Sequence, residues 1–96
     1  MIIHDIRPEV RQAIEDSIRE VLHEYELVSY TIEPKEDASG DEAIFVDLYH
    51  RPDLQFLDAR ATGKLRDTLS KRLLELREYR FPYTSHHIRR AEPSKR

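Results

Sequence analysis

Ninety-six residues, 39% of them hydrophobic and 36% charged, supply the core of one small domain and leave little apolar material for a second. The absence of cysteine excludes a disulfide framework, thiolate metal sites and cysteine nucleophiles, and points to a reducing, cytoplasmic setting. The formal net charge of −3 is unevenly spread, −9 through Leu48 and +6 from Tyr49 onward, which suits a body with one acidic and one basic face.

From Pro8 to Glu26 the apolar residues Val10, Ala13, Ile14, Ile18, Val21, Leu22 and Tyr25 recur at three- and four-residue steps, which predicts an amphipathic helix. Pro8 suits the first helical position, where its missing N–H costs nothing. Leu27–Glu33 switches to a period of two and reads as a strand ended by Pro34. Lys35–Glu42 has no apolar residue larger than alanine and reads as a long solvated loop. A second strand follows over Ile44–His50, with Ile44, Val46 and Leu48 on one side and Phe45, Asp47 and Tyr49 on the other, and a hairpin is the natural pairing. Its core, Ala43–Val46, is the longest apolar run, far short of the ~20 residues of a membrane-spanning helix. The first five residues lack the basic-then-apolar pattern of a secretory signal.

Arg51-Pro52-Asp53 breaks the strand. Leu54, Leu57, Ala61, Leu65, Leu69, Leu73 and Leu76 then form one helical face running to Tyr79, with Gly63 favouring a start nearer Asp58. Phe81–Ile88 reads as a third strand, and residues 92–96 as a frayed basic tail on a single domain of residues 1–91. The order α-β-β-α-β predicts an α+β two-layer sandwich, its three-stranded sheet covered on one face by two helices. The third strand lies either parallel beside the second or beside the first.

With only Gly40 and Gly63, the chain has no phosphate-cradling loop, dinucleotide fingerprint or nucleophile elbow. His86 and His87 point to opposite faces of a strand. His50 reaches one of them if the second and third strands are neighbours, with Asp47 or Asp53 to complete an open metal site, yet solvated strand-end histidines are the simpler reading. The acidic loop fails as an EF-hand, because a loop opening at Asp37 puts Leu48 where the bidentate carboxylate belongs. No serine is tied to a base. The expectation is therefore a non-catalytic chain without cofactor or metal.

Two binding readings remain. Phe45, Tyr49 and Tyr83 project from the uncovered sheet face, with Arg51 and His87 at its rim, and an aromatic sheet face meets another protein surface or a stacked ligand. The preferred expectation is a homodimer or a protein partner on that face. The alternative is RNA. Arg60, Lys64 and Lys71 lie along one helical stripe, and Arg89-Arg90 and Lys95-Arg96 close the chain, beside aromatics able to stack on bases. The element order resembles that of the small KH-like domains of RNA-binding and ribosome-assembly proteins, which implies RNA contact through those basic residues. The resemblance is one of order alone: in place of a G-x-x-G loop stands Ala61-Thr62-Gly63-Lys64, and the first half of the chain is acidic.

Overall fold

A computed structural model describes residues 3–23, 27–50 and 59–88. The expected break at Arg51–Asp53, the start of the second helix before Ala59 and the basic tail lie outside these residues.

Helix α1 (Pro8–Val21) opens on the Arg7 carbonyl, which accepts the Val10 and Arg11 amides at 3.0 Å each, with Pro8 in the first helical position as its fixed φ suggests. Val10, Ile14, Ser17 and Ile18 are buried. Ser17 is polar and so invisible to an apolar period, but it is satisfied: its Oγ donates to the Ala13 carbonyl at 2.7 Å and accepts from Arg72 at 3.2 Å. The helix ends before the expected Glu26 because Leu22 leaves helical geometry (φ −107°, ψ 22°) while staying buried. Periodicity continues past the point where the chain must turn back to the sheet.

Strands β1 (Leu27–Glu36) and β2 (Glu42–His50) pair antiparallel, Ile32 opposite Val46 and Pro34 opposite Ile44. Contrary to expectation Pro34 does not end β1. The strand lies at a sheet edge, where a missing N–H is tolerated. The connection shrinks to residues 37–41 and is built around Asp37. Its Oδ1 accepts the Ser39 and Asp41 amides at 2.9 and 3.0 Å, an Asx turn, while Gly40 supplies the positive φ of 89°.

Helix α2 (Ala59–Glu75) buries Leu65, Leu69 and Leu73. It stops short of the expected Tyr79 through a Schellman cap: the Glu78 amide donates to the Leu73 carbonyl at 2.8 Å and the Arg77 amide to Leu74 at 2.9 Å, with Arg77 in the left-handed region at φ 59°. No glycine marks that seat, so the sequence hides the stop. Strand β3 (Phe81–Ile88) then pairs parallel with β2, giving the order β1-β2-β3.

Both helices lie on one face of this sheet. Ile6, Val10, Ile14, Ile18 and Leu22 meet Leu65, Leu69 and Leu73 over Ile32, Ile44, Val46 and Leu48, the α+β sandwich the element order predicts. Of the first strand's alternating apolar set only Ile32 is buried; Val28 and Tyr30 are exposed, beside an irregularity between Leu27 and Ser29. No helix among the described residues is long and apolar enough to cross a membrane.

Candidate functional site

Because successive strand residues alternate between faces, the register fixes which side chains share the uncovered face. Glu33, Phe45 and Tyr83 form one row, Thr31, Asp47 and Ser85 the next, and Ser29, Tyr49 and His87 the third. Phe45 and Tyr83 stack with ring centroids 5.1 Å apart, and Tyr49 and His87 stack at 4.9 Å. Phe81 meets Tyr83 edge-on at 4.6 Å, and the Lys35 ammonium sits 5.4 Å from the Phe45 ring centre. Four of the five expected contact residues, Phe45, Tyr49, Tyr83 and His87, are thus brought together. Arg51 lies outside the described residues.

The face also holds groups beyond the expected contact residues. Phe81, half exposed at 50%, precedes Tyr83 by two and belongs to the same face by the strand period alone. Asp47, which the strand alternation puts on this side with Phe45 and Tyr49, pairs across the strands with His87, its Oδ1 2.9 Å from Nε2. Asp37 reaches in from the β1–β2 turn, and its Oδ2 accepts the Tyr83 hydroxyl at 3.0 Å. The Asp41 and Ser39 amides and that hydroxyl hold the Asp37 carboxyl below its ordinary range, and Asp37 in turn raises the Tyr83 phenol. The face is therefore two aromatic patches around a polar waist, with the Lys35 ammonium set among the Glu33, Asp37 and Asp47 carboxylates.

Arg60, Lys64 and Lys71 are exposed on α2, in the layer opposite the aromatic face. Base stacking and phosphate neutralisation would thus fall on different sides of the molecule. Arg89 and Arg90 lie outside the described residues.

On the helix-covered face, at the sheet's far end, His50 Nε2 and His86 Nδ1 are 2.9 Å apart. The 5.2 Å between their ring centres and the 25° between planes describe two rings meeting edge to edge through those nitrogens rather than lying one over the other. Burial lowers both imidazole pKa values. His50 thus approaches His86 and not His87, as strand parity requires. Among the described residues no three His, Asp or Glu side chains stand close enough to hold a metal ion.

At the opposite end Arg80 ties the N-terminal segment down. It donates to both Glu78 carboxylate oxygens at 2.8 and 3.0 Å and to the His4 and Asp5 carbonyls at 2.7 and 3.2 Å. This cluster carries no nucleophile and reads as a structural clasp. Compared with protein-family models, curated proteins and solved structures, the chain matches none.

Proposed function

We propose that this chain is a non-catalytic interaction module, working in the cytoplasm, whose aromatic sheet face docks against the same face of a second copy. The observation that carries the reading is the pair of ring stacks, Phe45–Tyr83 and Tyr49–His87, on a sheet face that no described element covers. Aromatic rings dominate interface energetics, and a face that keeps them off the core while burying aliphatic residues on the other side is better suited to association than to solvation. Opposite charges on the face, Lys35 against Glu33 and Asp47, suit an isologous contact in which each patch meets a copy of itself. Eight paired residues and three strands outline a planar patch of about 400 Å² on each copy, so the contact is of the weak, transient size and association should be concentration-dependent.

Light scattering across a concentration series, with Tyr49→Asp beside the wild type, tests this. A carboxylate placed next to Asp47 should cut the assembly mass to half that of the wild type while the melting temperature holds. Salt should matter little, because the contact is apolar at its centre. A wild type that is monomeric at every concentration, or a variant of unchanged mass, would overturn the reading.

A further inference from the structure

The two edges of the sheet are treated differently. Edge strands invite pairing with other chains, and proteins suppress it with proline, charged side chains, irregularities or a covering group. Edge strand β1 has all four. Pro34 offers no N–H; Glu33, Lys35 and Glu36 carry charge; the pairing slips between Leu27 and Ser29; and Arg11 reaches from α1 to donate to the Ile32 carbonyl at 3.2 Å. Strand β3 forms the other edge, and from Phe81 to Ile88 it contains no Asp, Glu, Lys or Arg. Among the described residues its one suppressor is Pro82, second in the strand, and no described element pairs with the outer edge of Tyr83–Ile88.

We propose that β3 pairs antiparallel with the β3 of a second copy about a two-fold axis at Ser85, joining two three-stranded sheets into one of six strands. In that register Ser85 faces Ser85 of the second copy, Tyr83 faces its His87, and Thr84 faces its His86. No like-charged carboxylates or ammonium groups meet, which an isologous contact requires of every residue near its axis. The aromatic rows become continuous: Phe45 stacks on Tyr83, Tyr83 lies beside the second copy's His87, and that ring stacks on its own Tyr49. A two-fold axis normal to the sheet leaves both aromatic faces on the same side, so the exposed patch doubles to about 800 Å², the area each partner buries in a standard interface. Edge pairing leaves that face free, so it holds whether or not the face docks against anything.

A cysteine-free chain makes the test direct. Residues directly opposite in an antiparallel pair have Cα atoms about 4.5–5.5 Å apart, within disulfide range. Under mild oxidation Ser85→Cys should give a covalent dimer of twice 11.5 kDa, at least about tenfold faster than Thr31→Cys on the protected edge. The Ser85→Cys cross-link should persist when Tyr49→Asp is added, which separates edge pairing from face docking. Equal rates at the two positions, or a cross-link lost with Tyr49→Asp, would overturn the proposal. Hydrogen exchange on the unmodified protein covers the case of a variant that fails to fold. Alternate amides of Tyr83–Ile88, those pointing away from β2, should gain protection as concentration rises, and unprotected exchange there at millimolar chain would equally overturn it.

Discussion

His50 Nε2 and His86 Nδ1 meet at 2.9 Å, a separation that holds one proton and not two. One imidazole donates and the other must accept, so the pair is intact only while at least one ring is neutral. Burial depresses both pKa values from 6.5, with the His87 charge adding to the effect at His50 and the His50 and His87 charges at His86. A base whose folded pKa is depressed binds protons more tightly when unfolded. Its contribution is therefore present above about pH 6.5 and lost as pH falls through the folded value. Melting temperatures at pH 7.5 and 5.5 should show this loss, and His50→Gln with His86→Gln should flatten it. A double variant with the wild-type pH profile would mean the pair is not the titrating group.

The Glu78–Arg80 pair should act in the opposite corner and at lower pH. Glu78 is 8% and Arg80 13% exposed at the side chain, and the guanidinium grips both carboxylate oxygens. Arg80→Ala leaves a nearly buried carboxylate with only the residue-80 amide, at 3.2 Å, as its partner and frees the His4 and Asp5 carbonyls, and should cost about 2–4 kcal/mol in urea unfolding. The Arg80 contacts hold the Glu78 carboxyl below its ordinary range. The stability it contributes is thus complete above the unfolded carboxylate value near 4.5 and lost as pH drops below it. Glu78→Gln should remove part of that acid sensitivity.

Two residues sit in backbone environments that their types do not suit. Gly63 lies inside α2, and beyond its chain neighbours and the adjacent helix backbone no atom comes within 4 Å of where a Cβ would be. Gly63→Ala should therefore stabilise the protein by about 0.5–1 kcal/mol through helix propensity alone. Arg77 occupies the left-handed seat of the Schellman cap, where a side chain is strained. Arg77→Gly should raise stability by up to about 1 kcal/mol, the relief of strain being partly offset by the entropy of the unfolded chain. Thermal melts decide both, and destabilisation by either would show a contact that the backbone argument misses.

The elements that the sequence made legible are those whose information is local. The three-and-four spacing through Val10, Ile14 and Ile18 and the leucine spacing through Leu65, Leu69 and Leu73 are each one helix face, and both faces are buried as that spacing predicts. The alternation through Ile44, Val46 and Leu48 likewise placed Phe45 and Tyr49 on the uncovered side. What stayed hidden depends on distant partners. Nothing near Arg80 announces His4 and Asp5, and nothing near Asp37 announces the Tyr83 hydroxyl. The choice of β2 as the neighbour of β3 was open until the chain closed, and with it the meeting of His50 and His86. Element ends failed where an unusual residue did the work: a proline carried inside an edge strand, and an arginine in a glycine seat.

The Asp37–Tyr83 hydrogen bond separates two roles of one aromatic ring. Tyr83→Phe removes the hydroxyl that donates to Asp37 at 3.0 Å but keeps the ring stacked on Phe45. The hydroxyl holds the turn to the sheet, and at an exposed site its loss should lower stability only slightly. Self-association should be unchanged, because the rings supply the contact. Tyr83→Asp removes the stack and sets a carboxylate beside Asp37, so it should abolish face docking and lower stability by more than Tyr83→Phe does. Light scattering and urea unfolding on the same two variants make the comparison. If Tyr83→Phe dissociates the assembly as fully as Tyr83→Asp, the contact belongs to the hydroxyl and its carboxylate partner, and the aromatic face is not what brings two copies together.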